Sequence, residues 1–152
     1  AGTEPGAIWF RTGDLGVYID GELYITGRVK DLVIVDGRNH YPHDIEATVE
    51  DASPVVRRGF VAAFSVPADE LPAGVDAGDG VGERLIIVAE RAAGAGRAEP
   101  GPIIEVLRAA VSRRHALPVA DIRLVHAVAI PRTTSGKIAR RACRQQYLEN
   151  RL

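Results

Sequence analysis

A short loop near the C-terminus carries the residue types most suited to chemistry, Pro131-Arg132-Thr133-Thr134-Ser135-Gly136-Lys137. Glycine lets the backbone bend sharply beside the lysine, and the lysine brings a compact, mobile positive charge that suits a phosphate or carboxylate oxygen. The segment is not a P-loop, because Pro131 and Ile138 stand where that motif needs glycine and a hydroxyl residue. The residues alone leave two interpretations open: an anion-binding loop centred on Lys137, or a surface turn that caps the last helix.

Two segments near the N-terminus carry further candidate binding residues. In Thr12-Gly13-Asp14, the aspartate could accept two hydrogen bonds from a vicinal diol such as a ribose, or it could bond its own backbone in a turn. In Gly27-Arg28-Val29-Lys30-Asp31, Arg28 and Lys30 lie on opposite sides of an extended segment, which is either a functional connector or a solvated linker. This polar segment is the candidate domain boundary.

The other charged and metal-binding residue types show weaker patterns. The last helix and the loop before it hold a local basic run: Arg132, Lys137, Arg140, Arg141 and Arg144. It could meet an acidic partner protein or phosphate, or it could be a solvated helix face, and without interleaved aromatic residues it does not favour single-stranded nucleic acid. The four histidines and Cys143 lack the spacing of metal ligands, so no metal site is predicted.

Composition excludes several classes of protein. The chain has 152 residues and a formal net charge of -1, which gives no overall attraction to nucleic acid or to an anionic membrane. No apolar run is long enough to span a bilayer, and a single cysteine makes a reducing cytoplasm the default location. Since the chain contains no methionine, we expect it to be a piece of a longer polypeptide.

The elements that would position these residues follow from hydrophobic periodicity. Two short β-prone runs around Asp20-Gly21 predict a tight hairpin over 17–25. The remaining segments are predicted as strands at 32–35, 59–66, 84–90 and 121–130, helices at 42–50, 102–114 and 138–148, and a long loop at 67–83. This mixture without strict βαβ alternation favours an α+β domain, a small, mostly antiparallel sheet flanked by helices and preceded by a β-hairpin.

The three polar segments, in this order and with about one small domain between the last two, resemble the adenylate-forming superfamily. The run from Asp31 to Glu46 is most similar to fatty acyl-AMP ligases of actinobacteria. The resemblance implies that residues 1–29 are the tail of a large N-terminal adenylation domain and that 30–152 form the C-terminal lid domain. The residue roles it implies are catalysis by Lys137, nucleotide binding by Asp14 and Arg28, a hinge at Lys30, and a loop of Gly37, Arg38 and Asn39 that faces the pantetheine acceptor.

The same resemblance implies an activity for the full enzyme. Such a ligase uses ATP, with Mg²⁺, to convert a fatty acid to acyl-adenylate and pyrophosphate, and passes the acyl group to an acyl carrier protein of a polyketide synthase. We expect the fragment to bind no cofactor and to be inactive without its N-terminal domain. Two alternatives remain: the lid of a fatty acyl-CoA ligase, and a non-catalytic module that docks a carrier protein through Arg140, Arg141 and Arg144.

Overall fold

The computed structural model describes residues 10–79, 81–95 and 98–152 of the protein. The backbone divides into two compact units, Ala1–Lys30 and Asp31–Leu152. A single 3₁₀ turn, Val29–Asp31, carries the chain from one unit to the other. None of the helices in the described part of the chain combines the length and the apolar character needed to cross a membrane.

The described part of the first unit is a β-hairpin of β1 (Asp14–Ile19) and β2 (Glu22–Arg28). Its turn residues Asp20 and Gly21 have φ angles of 50° and 85°, the left-handed geometry that an Asp-Gly turn between antiparallel strands requires. The predicted hairpin is therefore confirmed. Most apolar side chains of both strands are exposed, including Tyr18 and Ile25.

Two small sheets lie in the described part of the second unit. β3 (Val33–Val35) and β4 (Arg38–His40) form a short hairpin. β5 (Val56–Pro67), β6 (Glu83–Arg91) and β7 (Val119–Val125) form a three-stranded sheet in that order. β5 and β6 run antiparallel, whereas β6 and β7 run parallel.

Three α-helices cover the three-stranded sheet: α1 (Pro42–Ala52), α2 (Pro100–His115) and α3 (Arg140–Leu148). Pro42 and Pro100 occupy the first helical positions, where the missing N–H has no helical partner to lose. α2 connects the two parallel strands, as a parallel pair requires a long crossover. The predicted α+β class is confirmed, and within it β6, α2 and β7 form one βαβ unit.

The central strand β6 is buried on both faces. Leu85, Ile87 and Ala89 belong to a core that includes α1, α2 and the β3 strand, while Ile86 and Val88 belong to a core that includes α3. This explains the uninterrupted apolar run in β6, because successive residues of a strand point to opposite faces and both faces are covered.

Three predicted segments differ from the structure. The strand predicted over 121–130 ends at Val125, because residues 126–129 form a turn in which Val128 is exposed and has a φ of 70°. The last helix begins at Arg140 rather than at Ile138, since Ile138 makes a β-bridge with Arg132. The segment predicted as an acceptor loop is part of a hairpin, and of its three residues Gly37 lies in the turn while Arg38 and Asn39 lie on a strand.

Candidate functional site

The Lys137 loop is a closed turn held by its own backbone. The N–H of Gly136 donates to the carbonyl of Thr133 at 2.9 Å, and the N–H of Thr133 donates to the carbonyl of Lys137 at 2.9 Å. Gly136 has a φ of 78°, which explains why glycine precedes the lysine. The Arg132–Ile138 bridge closes the base of the loop.

Two of the three hydroxyl residues of the loop, Thr133 and Ser135, bond within the loop. Thr133 Oγ1 accepts a hydrogen bond from the N–H of Lys137 at 3.1 Å and lies 3.0 Å from Ser135 Oγ. Arg132 Nη1 donates to the carbonyl of Gly136 at 2.7 Å. The Lys137 side chain is exposed, and no acidic group in the described part of the second unit forms an ion pair with it. The loop therefore presents a cation from a backbone whose geometry is already set, a suitable arrangement for meeting an external anion.

The helix that follows the loop is anchored by an ion pair that the sequence did not predict. Arg140 donates from Nε and Nη2 to the two carboxylate oxygens of Glu46 in α1, both at 2.6 Å. Glu46 Oε1 also accepts the backbone N–H of Ala63 in β5 at 3.0 Å. The hydrogen bonds to Glu46 raise the pKa of Arg140. Glu46 follows Ile45 on the apolar side of α1. A glutamate at such a position indicates that a cation elsewhere in the chain pairs with it, and this was the signal from which the ion pair could have been predicted.

The basic run of the last helix is only partly a surface. Arg140 binds Glu46, and Arg144 donates to the carbonyl of Ser65 at 3.1 Å and to Glu70 at 2.8 Å. Arg141 is exposed. The three arginines therefore do not form one solvated face, which weakens the hypothesis of a docking module built on them.

Asp14 and Arg28 face each other across the hairpin of the first unit. They are register partners on β1 and β2, and Arg28 Nε donates to Asp14 Oδ1 at 3.0 Å. The N–H of Asp14 bonds to Thr12 Oγ1 at 3.1 Å, and the N–H of Val29 bonds to the carbonyl of Gly13 at 2.9 Å. The structure thus brings the two predicted nucleotide-binding residues together. Lys137 belongs to the other unit.

Lys30 lies just before the second unit, and the β3–β4 hairpin lies at the beginning of that unit. Lys30 is exposed, lies inside the 3₁₀ turn and is the last residue of the first unit. In the hairpin, Asp36 and Gly37 form the turn with φ angles of 50° and 72°. Arg38 and Asn39 are exposed on β4, so the hairpin presents them on a strand rather than on a loop.

Two of the four histidines, His40 and His115, and the cysteine are partly or fully buried. His115 Nε2 lies 2.7 Å from Thr48 Oγ1, and burial lowers the pKa of both His115 and His40. Cys143 is fully buried, and burial raises the pKa of its thiol to about 12. Among the described residues, no three His, Cys, Asp or Glu side chains lie close enough to hold a metal ion.

No protein-family model matches the chain. It is 54% identical to the long-chain-fatty-acid–AMP ligase FadD32 of Mycolicibacterium smegmatis, over 99% of this chain and 25% of that protein. It is 45% identical to FadD26, a ligase of the same description from Mycobacterium marinum, over 94% of this chain and 23% of that protein. It is also 46% identical to a putative fatty-acid–CoA ligase of Mycobacterium tuberculosis, FadD21, over 97% of this chain and 24% of that protein. The chain thus spans about a quarter of the length of these curated relatives.

Solved structures show the same similarity. A structure from a study of fatty acyl-adenylate ligases of E. coli and L. pneumophila matches with a TM-score of 0.72 and 34% identity, over 93% of this chain and 22% of that one. A complex of McyG A-PCP with phenylalanyl-adenylate matches with a TM-score of 0.75 and 28% identity, over 97% of this chain and 24% of that one. In each case the similarity covers nearly all of this chain and only one part of a longer protein.

Proposed function

We infer that this chain belongs to the adenylate-forming superfamily, as the C-terminal portion of a fatty acyl-AMP ligase. The observation that carries the inference is the similarity over nearly the whole chain to two mycobacterial long-chain-fatty-acid–AMP ligases. On this basis residues 1–29 are the end of the large adenylation domain and residues 30–152 are the mobile lid domain. The partner of the lid is then the adenylation domain of the same polypeptide, and we propose the cytoplasm as its location.

The proposed reaction begins with adenylation of a fatty acid. A carboxylate oxygen attacks the α-phosphorus of ATP, the bond to the β-phosphate oxygen breaks, and pyrophosphate leaves. Because the two reactants are both anions, a cation at their meeting point offsets their repulsion and stabilises the charge of the transition state. We assign this role to Lys137, which the closed loop presents to the outside of the second unit.

Asp14 and Arg28 are proposed to bind the nucleotide. Two hydroxyl groups of a ribose can both donate to one carboxylate, and Arg28 holds the Asp14 carboxylate through Oδ1. The guanidinium is largely exposed, with 68% of its side-chain surface accessible, so it can also contact the ribose or the phosphate side. Mg²⁺ would arrive with ATP as part of the substrate, and we assign no metal ligand to this chain.

The second half-reaction requires the lid to turn. We propose Lys30 as the hinge, since it lies in the short turn between the two compact units. The turn of the domain would withdraw Lys137 and bring Gly37, Arg38 and Asn39 of the exposed β3–β4 hairpin towards the pantetheine arm. The thiol of an acyl carrier protein, on a polyketide synthase, would then attack the acyl carbonyl, form the thioester and release AMP.

Free coenzyme A is the second candidate acceptor. The similarity to a putative fatty-acid–CoA ligase favours it, and the β3–β4 hairpin would serve either acceptor because both carry the same pantetheine arm. A docking module without catalysis is the remaining candidate, and it lacks the continuous arginine face on which it depends.

Mass analysis of the products tests these proposals. The ligase that contains this chain is incubated with a fatty acid and ATP, and then with either a phosphopantetheinylated carrier protein or coenzyme A. We expect acyl-adenylate in the first step and transfer to the carrier protein in the second. Acyl-CoA in place of acylated carrier protein would assign the coenzyme as acceptor, and absence of acyl-adenylate would contradict the ligase function.

A further inference from the structure

We propose that a bulge in β5 is the platform that positions the Lys137 loop, and that Phe60 and Arg132 are positioning residues for adenylation. The proposal rests on the function inferred above. We define the platform as residues 57–60, which lie between the two paired stretches of β5.

The platform exists because β5 carries extra residues opposite a single residue of β6. Val56 pairs with Arg91 and Val61 pairs with Ala89, so the four residues 57–60 lie opposite Glu90 alone. Such bulges bend a strand and redirect its side chains. Gly59, with a φ of 76°, permits the bend, and its N–H donates to Glu50 Oε1 of α1 at 2.8 Å.

Phe60 lies between two arginines. The guanidinium carbon of Arg57 is 3.4 Å from the centre of its ring, and that of Arg132 is 3.8 Å from the same centre. Two planar guanidinium groups can approach one six-membered ring this closely only from opposite faces. The attraction between each cation and the ring face therefore connects β5 to Arg132, at the base of the Lys137 loop.

Glu90 binds one of the two arginines of this stack. Its carboxylate is fully buried, and burial of a charge requires partners that satisfy it. Oε2 accepts from Arg57 Nη1 at 2.9 Å, and Oε1 accepts the backbone N–H of Ile130 at 3.0 Å. One buried carboxylate thus binds both Arg57 of the stack and the backbone just before Pro131.

Arg132 completes the connection to the lysine. Its Nη2 donates to the carbonyl of Gly59 in the platform, while its Nη1 donates to the carbonyl of Gly136 at 2.7 Å. The peptide group that precedes Lys137 is therefore attached to β5 through a single guanidinium. The position of the Lys137 backbone therefore depends on the stack of Arg57, Phe60 and Arg132.

This attachment affects one half-reaction more than the other. Adenylation needs a cation placed accurately between two anions, and a small displacement of a reacting group costs a large factor in rate. Acyl transfer occurs, under the proposed function, after Lys137 has been withdrawn. Loosening the platform should therefore slow adenylation and spare transfer.

The test compares three phenylalanine variants of the ligase that contains this chain. Phe60→Leu removes the aromatic ring faces, and Phe60→Tyr keeps them. Phe64→Leu makes the same change in β5 at a core position that does not belong to the stack of Arg57 and Arg132. Adenylation is followed by pyrophosphate release, and transfer is followed from supplied acyl-adenylate to a thiol acceptor. We expect Phe60→Leu to lower the kcat of adenylation about tenfold, as for loss of accurate positioning, with the KM for ATP and the transfer rate unchanged.

The controls separate positioning from stability. Phe60→Tyr should retain adenylation, and Phe64→Leu should leave the ratio of the two half-reactions unchanged even where it lowers the melting temperature. Any of three results would overturn the platform. Phe60→Leu slows both half-reactions equally, Phe60→Leu leaves adenylation unchanged, or Phe60→Tyr slows adenylation as much as Phe60→Leu does.

Amide exchange in the 152-residue chain gives a readout independent of ligase activity. Phe60→Leu should accelerate exchange at the N–H groups of Gly136 and Lys137, and Phe60→Tyr and Phe64→Leu should not. A ligase that forms no acyl-adenylate, with this exchange pattern present, would contradict the proposed function and support the platform. Active ligase with unchanged exchange in Phe60→Leu would contradict the platform alone.

Discussion

At the scale of single residues, the second unit holds its candidate catalytic loop through two buried carboxylates. Glu46 binds Arg140, which begins the helix after the loop, and Glu90 binds the backbone N–H of Ile130, just before the loop. Both carboxylates are less than a tenth exposed. Removing one partner of a buried pair leaves an unpaired charge, so these contacts define both ends of the loop that carries Lys137.

The first residue-scale prediction concerns the lysine itself. In the ligase that contains this chain, Lys137→Ala should lower the rate of acyl-adenylate formation by about 10²-fold or more, because the transition state loses a charge contact. Acyl transfer from supplied acyl-adenylate should change much less. Pyrophosphate release and thioester formation measure the two steps.

Arg141→Ala is the matched control for that experiment. Arg141 is an exposed cation four positions further along the chain, on α3. Its loss should leave adenylation unchanged. A decrease of less than about tenfold in Lys137→Ala, equivalent to about 1.4 kcal/mol, would remove Lys137 from the catalytic role.

At the scale of elements, short turns between regular segments contain or directly precede three of the proposed functional residues, and strands carry the other four. The turn Val29–Asp31 contains Lys30, the β3–β4 turn contains Gly37, and the turn between Thr133 and Gly136 precedes Lys137. Strands flank the first two turns, and the Arg132–Ile138 bridge closes the third. Residues on a turn can then meet a substrate without exposing the core.

The element-scale prediction tests the hinge. Lys30→Pro fixes φ at residue 30 and restricts Val29 before it, so rotation at this turn should be hindered. We expect acyl transfer to fall more than pyrophosphate release in the full ligase. Lys30→Ala, which removes the charge and keeps the backbone N–H, serves as the control and should reduce transfer less than Lys30→Pro.

Two results would count against the hinge. Equal loss of adenylation and transfer in Lys30→Pro would indicate general damage to the turn. The same loss of transfer in Lys30→Ala and Lys30→Pro would indicate that the charge of Lys30 matters and its backbone rotation does not.

At the scale of the whole molecule, the two compact units differ in how they bury apolar surface. The second unit encloses β6 between two cores, whereas the described hairpin of the first unit leaves Tyr18, Leu23 and Ile25 exposed. An exposed apolar surface of this kind is typical of a segment that another domain covers. This agrees with the proposal that the hairpin is the end of the adenylation domain.

The whole-molecule prediction concerns the isolated chain. It spans about a quarter of its relatives, and the proposed reaction brings Lys137 to a fatty acid and ATP that the rest of the enzyme binds. The 152-residue chain should therefore release no pyrophosphate above background from ATP and a fatty acid, although circular dichroism should show it folded. Turnover by the isolated chain that disappears in Lys137→Ala would contradict this prediction.

Local sequence determined the elements whose geometry depends on neighbouring residues. The Asp20-Gly21 pair dictates a tight turn because its residues tolerate positive φ angles, and the apolar period of 102–114 dictates a helix. The residue types around Lys137 left an anion-binding loop and a helix-capping surface turn both open, and the order of three polar segments indicated the family only as a resemblance. The turn and the helix are encoded within a few residues, so a single sequence reveals them.

Tertiary structure alone decided the features that depend on residues far apart in the chain. The alternation in 121–130 predicts one long strand, but β7 ends at Val125, and the N–H of Ile130 bonds instead to the carboxylate of Glu90. Arg140 resembles a surface residue until Glu46, 94 positions away, is placed beside it. The bulge opposite Glu90 depends on the register of two strands. Local preferences define which segments form, whereas burial of charge and strand register, set by contacts distant in sequence, define where the candidate catalytic lysine lies.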